Sequence, residues 1–224
     1  MKHSFDEPAM EADMNQELSE ETDNTRGKLS GHEILAGIKK ESKEFQWEGT
    51  FEQYLEMVIS DSSIVKLSHA LVNEAIKTPG MYRDLNGETL YRLFDGKMFG
   101  LDSALDKVAR YFEAAAQRLE VRKRILLLLG PPASGKSSII DIIKRGLEDY
   151  TRTDSGAVYT IQGCPMQEDP LHLITGSART QIHDDYGIHI EGELCFHCRF
   201  LLEHDYQGNP AEIPINRVTF SESR

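Results

Sequence analysis

The sequence predicts an α/β fold, a parallel sheet flanked by helices and built around a phosphate-binding loop. Three observations predict it. Gly130-Pro131-Pro132-Ala133-Ser134-Gly135-Lys136-Ser137 is a complete G-x-x-x-x-G-K-[ST] pattern. The apolar run Ile125–Leu129 stands directly before it and reads as a buried strand. A helical pattern follows directly, with Ile139, Ile140, Ile143 and Leu147 on one face, and Ala157–Ile161 reads as the next strand. Two parallel strands joined through a helix make a βαβ unit, with helices on both faces of the sheet.

The chemistry of the loop follows from its residue types. Gly130 and Gly135 let the backbone curl around a phosphate. Amides at the helix start, with the positive end of its dipole, face the anion. Lys136 would reach the outer phosphates and the Ser137 hydroxyl would complete a Mg²⁺ shell. The candidate ATP contacts are therefore Gly130, Pro131, Pro132, Ala133, Ser134, Gly135, Lys136, Ser137 and Ser138.

The chain has 224 residues and a formal net charge of −12, enough for one medium domain with an appendage. That charge argues against a protein that grips nucleic acid or an anionic membrane. Asp6, Glu7, Glu11, Asp13, Glu17, Glu20, Glu21 and Asp23 face only Lys2 near the N-terminus. Residues 1–29 are accordingly expected to be a disordered acidic tail. No apolar run reaches the length of a membrane span, and the start lacks a secretory signal. A cytoplasmic protein is expected, with its cysteines kept as thiols or metal ligands.

Residues 30–98 are expected to form a helical segment. Ser30 to Glu44 is a weakly amphipathic helix candidate, and Thr50-Phe51-Glu52-Gln53 reads as a capping box. Phe51, Tyr54, Leu55, Val58 and Ile59 then follow helical spacing. A second helix is expected from Ile64 to Lys77, ended by Pro79-Gly80, and the two would form a hairpin. Trp47 reads as an anchor for that hairpin. Residues 99–224 are expected to be the nucleotide-binding domain. Leu101, Leu105, Val108, Phe112 and Leu119 mark a helix opening near Asp102 and lasting to about Glu120.

ATP hydrolysis needs, beyond the loop, an acidic residue at a neighbouring strand end to hold Mg²⁺. Phe200-Leu201-Leu202-Glu203 is the nearest approach to such a strand, and Arg217–Glu222 reads as a strand beginning. The expectation is an incomplete domain, with the second nucleotide motif lying beyond position 224. Cys195-Phe196-His197-Cys198 has metal-ligand spacing. Cys164, His172, His183, His189, His197 and His204 are candidate further ligands. A zinc set of Cys164, His172, Cys195 and Cys198 would pin an insertion, 162–205, onto the core; thiols that merely pack in the core, and redox chemistry, are the competing readings.

Several segments together resemble one family. They are Phe99-Gly100-Leu101-Asp102, the helix with Tyr111-Phe112 and Ala114-Ala115-Ala116, the loop itself, and Gly163-Cys164-Pro165-Met166 with Glu168-Asp169-Pro170-Leu171-His172-Leu173-Ile174. With Gly192-Glu193-Leu194-Cys195-Phe196-His197-Cys198-Arg199 they resemble the AAA-type ATPase domain of PrkA-type serine protein kinases over residues 45–224. The resemblance implies an AAA core that binds ATP and Mg²⁺ and, in longer members, a C-terminal kinase-like domain. It implies that Gly130, Lys136 and Ser137 contact phosphate and Mg²⁺, and that Phe99 and Gly100 border the adenine. It gives no position here a catalytic kinase role. Ring-forming homo-oligomers and a protein substrate are also implied. Three functions stand open: the ATP module of a serine kinase, a remodelling or protease-partner ATPase, and a catalytically silent nucleotide-binding module.

Overall fold

The computed structural model describes residues 30–33, 35–37, 46–85 and 87–220. The expected acidic tail and residues 38–45 and 221–224 lie outside the described residues. The chain divides into two units, residues 1–41 and 42–224. In the first, residues 31–33 and 35–37 are helical. Ser30 and Glu33 cap that turn reciprocally: Ser30 N–H donates to Glu33 Oε2 at 2.7 Å and Glu33 N–H to Ser30 Oγ at 3.2 Å.

The second unit runs, in chain order, through β1 (Glu48–Thr50), α1 (Phe51–Ser60), α2 (Ser68–Lys77), β2 (Met81–Arg83), β3 (Thr89–Tyr91), α3 (Asp102–Ala116), α4 (Lys136–Thr151), β4 (Val158–Ile161), α5 (Ser177–Tyr186), α6 (Phe196–His204) and β5 (Pro214–Val218). The expected capping box opens α1. Gln53 N–H donates to Thr50 Oγ1 at 3.3 Å and Thr50 N–H to Gln53 Oε1 at 3.0 Å.

Two large apolar clusters, with a smaller one of Leu71, Ala75 and Tyr150, divide the unit. In one, Phe51, Tyr54 and Val58 of α1 pack with Ile161, Leu171, Cys198, Ile213 and Ile215 on a sheet of order β1-β5-β4. Trp47 meets Tyr159 edge-on at 5.3 Å. In the other, Ile76 of α2, Leu105 and Ala109 of α3, and Ile139 and Ile142 of α4 close around Leu93 and Phe94. The helices α1 and α2 therefore do not form the expected hairpin; each buries its apolar face in a different cluster. The linker between them is fixed by Lys66, whose ammonium donates to Tyr150 Oη at 2.9 Å and to the Ser155 carbonyl at 2.6 Å.

The sheet differs from expectation. Both ladders are antiparallel, with Gly49 opposite Ile215 and Thr160 opposite Asn216. The run Ile125–Leu129 joins no strand among the described residues, and Ile125, Leu127 and Leu129 are 91%, 70% and 84% exposed. A run can be fully apolar and still not be a strand: its amides need a neighbouring ladder. The strand after α4, β4, pairs instead with β5. That later strand spans Pro214–Val218, so it begins before the expected Arg217 and ends at Val218. Phe200–Glu203 lies within α6 and not in a strand, because Cys195 caps a helix there. The buried face of α4 is also rotated from the expected one. Ile139, Ile142, Gly146 and Tyr150 are buried, and Ile140 is half-exposed. Gly146 explains the rotation, since a methyl there would stand 2.7 Å from Leu93 Cδ1.

Candidate nucleotide site and thiol cluster

The loop curls as its glycines require. A methyl on Gly130 would stand 2.8 Å from Ser134 Oγ. Ala133 and Gly135 both adopt left-handed backbone, with φ of +60° and +82°, a sequence of turns that aims successive amides inward. Gly135 is the N-cap of α4 and supplies no side-chain cap. The first helical bond is Ile139 N–H to Gly135 O at 2.9 Å. The amides of Lys136, Ser137 and Ser138 thus lie outside the i→i−4 ladder, at the positive end of a helix of 16 residues.

Lys136 sits inside this curl. Its ammonium donates to Gly130 O at 2.9 Å, Pro131 O at 2.6 Å and Ser134 Oγ at 3.0 Å. All three protons of the ammonium thus serve the loop, and its charge is centred there. Ser137 and Ser138 are exposed beside it. This donor set suits a polyphosphate: amides and an ammonium, with a hydroxyl for a hard cation.

Beside the loop, β2, β3 and the start of α3 enclose a cavity of about 270 Å³, lined in part by Tyr82, Tyr91, Phe94, Met98, Phe99 and Asp102. Phe99 and Gly100, expected beside the base, are on its wall. Met98 links cavity and loop, because a methyl on Gly135 would stand 2.7 Å from Met98 Cε. The Tyr82 hydroxyl donates to Asp95 at 2.9 Å, and that bond holds the phenol above its usual pKa. Nothing in the sequence pattern pointed to Met98; its role depends on a chain reversal at Gly96 and Gly100, both at positive φ.

A second cluster lies against the sheet. Cys164 Sγ stands 3.7 Å from Cys195 Sγ, and Cys198 joins them, with all three cysteines free. Glu168 completes a group whose ligand atoms lie within 4.8 Å of one another. Cys195 is the N-cap of α6, its sulfur accepting from Cys198 N–H at 3.4 Å. Glu168 Oε2 accepts from Cys195 N–H at 2.9 Å, and Oε1 meets His172 Nδ1 at 2.5 Å. Burial raises the Glu168 carboxyl, but the His172 and Cys195 hydrogen bonds outweigh it and hold it below the usual range.

His172, expected among the ligands, stands behind Glu168. Its other nitrogen meets the Glu191 carbonyl at 2.6 Å. The remaining histidine candidates point elsewhere: His183 stacks edge-on against His189, His189 meets Glu191, His204 lies over Phe200, and His197 is exposed. Glu168 was the residue the sequence reading passed over. Its spacing of four from both Cys164 and His172 was the available signal.

Comparison with known proteins adds to this geometry. A family model described as the PrkA AAA domain matches residues 49–224. A Bacillus subtilis protein named ATP-dependent protease PrkA is 44% identical over 196 residues, 86% of this chain and 31% of its own length. A Geobacillus stearothermophilus protein encoded in the gldA 5′ region is 41% identical over 97 residues, 42% of this chain and 99% of its own length. An Escherichia coli protein named serine/threonine kinase YeaG is 28% identical over 155 residues, 63% of this chain and 23% of its own length. This chain therefore spans less than a third of the Bacillus relative. No solved structure matches it.

Proposed function

Because the chain belongs to the PrkA AAA domain family, we propose that it is a Mg-ATP-binding module that supplies nucleotide for phosphorylation of a protein substrate. The observation that carries this reading is the loop: Lys136 held between Gly130, Pro131 and Ser134 at the uncapped start of α4. In it, the amides of residues 135–138 hold the β- and γ-phosphates, and the Lys136 ammonium exchanges its loop acceptors for phosphate oxygens as they enter. Ser137 Oγ is the protein ligand to Mg²⁺, and the bound ion neutralises phosphate charge. The base lies in the cavity walled by Met98, Phe99 and Gly100. The kinase assignment is favoured by the name of the Escherichia coli relative. A second reading, an ATPase that remodels substrates for proteolysis, is favoured by the name of the Bacillus relative.

The test is anisotropy of a fluorescent ATP analogue with Mg²⁺. Saturable binding is expected, and Lys136→Ala should abolish it; unchanged affinity in that variant removes the site assignment. Incubation with γ-labelled ATP and candidate proteins then separates the readings. Label on a substrate serine supports the kinase, and ATP-dependent loss of substrate without label supports the protease partner.

A further inference from the structure

We infer that Cys164, Cys195, Cys198 and Glu168 form a closed structural zinc site that ties the end of β4 to the start of α6. The argument begins with distances. Tetrahedral zinc with sulfur bonds of about 2.3 Å sets its thiolates about 3.8 Å apart. Cys164 and Cys195 Sγ are 3.7 Å apart, and the four donor atoms lie within 4.8 Å of one another. A disulfide needs its sulfurs at about 2.0 Å, so this pair is not one. A [4Fe–4S] cluster gives each thiolate its own iron and a [2Fe–2S] cluster spreads four ligands over two irons, which four donor atoms all within 4.8 Å of one another do not suit.

Chemistry points the same way. Apolar packing explains buried thiols, but it does not explain a carboxylate among them. The Glu168 side chain is 10% exposed, and its donors, Cys195 N–H and His172, offset the cost of burying it beside the sulfurs. Its two oxygens each use one lone pair, on Cys195 N–H and on His172, and each keeps another. A donor is also turned toward sulfur. Cys198 N–H points at Cys195 Sγ at 3.4 Å. Such a donor stabilises a thiolate, and the start of α6 adds its dipole.

His172 completes the arrangement as a positioning residue. It bridges the Glu168 carboxylate and the Glu191 carbonyl, the outer-shell pattern that orients metal ligands. With four protein donors the shell is full, so the zinc holds structure and does not activate water. Its ligands come from two segments separated by residues 169–194, which include α5. Cys164 and Cys198 also belong to the sheet cluster, so the ion would fasten that excursion to the core.

Elemental analysis of the freshly purified full chain tests this, with one zinc per chain expected. Cobalt substitution should give thiolate charge-transfer bands and intense tetrahedral d–d bands. Cys195→Ser should lose the bound metal. His172→Phe should retain the cobalt spectrum but weaken zinc affinity roughly 10- to 100-fold in chelator competition. Lys136→Ala should leave all of this unchanged, which separates the zinc site from the nucleotide site. A wild-type protein with no zinc and no tetrahedral cobalt spectrum overturns the inference without recourse to any variant. So does a Cys164–Cys195 disulfide as the resting state.

Discussion

Gly135→Ala probes the junction of loop, helix and cavity. The residue sits at φ +82° and ψ 4° as the N-cap of α4. A side chain in left-handed backbone costs roughly 1–2 kcal/mol. The new methyl would also stand 2.7 Å from Met98 Cε and 3.2 Å from Leu101 Cδ1, against an ordinary carbon contact of about 3.5–4.0 Å. Met98 is flexible and can swing aside, so this overlap adds about 1 kcal/mol, the low end for overpacking. Lower entropy of the unfolded chain offsets roughly 0.4–1 kcal/mol. The net loss is about 2 kcal/mol, which for a unit of this size lowers Tm by roughly 4–8 °C. Thermal denaturation of the wild type, Gly135→Ala, Met98→Ala and the double variant resolves the parts. Relief of the overlap should make Gly135→Ala cost about 1 kcal/mol less in the Met98→Ala background. The backbone part should remain. Gly135→Ala at wild-type stability refutes the left-handed cap, and strict additivity refutes the contact with Met98.

Thr50→Ala removes the cap of α1 and should cost about 1 kcal/mol by urea denaturation; no loss would deny that the capping box matters. Gly156→Ala would set a methyl 2.1 Å from the Tyr150 carbonyl oxygen. Backbone cannot swing aside, so a loss at or above the top of the roughly 1–3 kcal/mol overpacking range is expected. Arg122 pairs with Glu191, and that hydrogen bond holds the Glu191 carboxyl below its usual range. Its stabilisation is present above the ordinary carboxylate pKa and lost as pH falls through the lowered folded value. Glu191→Gln should therefore lose less than about 1 kcal/mol near neutrality, and the difference from wild type should vanish in acid. A difference that grows in acid has the wrong sign.

The loop and the helix after it were legible because their signals are local: glycine spacing, then apolar residues at helical period. The capping box at Thr50 and the stop at Pro79-Gly80 are local too, and both were read correctly. The sheet was not, because pairing is a non-local property. Ile125–Leu129 carries a strand's composition, yet nothing in its own residues states whether a ladder lies beside it. Thr160 finding Asn216, 56 positions further along the chain, is likewise invisible to periodicity. The helix α6 was missed for a different reason. Cys198 is its one buried residue and Cys195 is an uncommon cap, so Phe200–Glu203 reads as a short strand and the Cys-x-x-Cys spacing as metal ligands. The same non-locality hid Glu168, which reaches the thiols only because the chain from Gly163 to Asp169 folds back, with Gly163 and Gln167 at positive φ.

Calorimetric titration of the folded chain with ATP, with and without Mg²⁺, addresses the nucleotide site most directly. A saturable heat with one nucleotide per chain, stronger with Mg²⁺ and lost in Lys136→Ala of unchanged fold, is the predicted result. No heat from well-folded wild-type protein, or equal binding by Lys136→Ala, would contradict it.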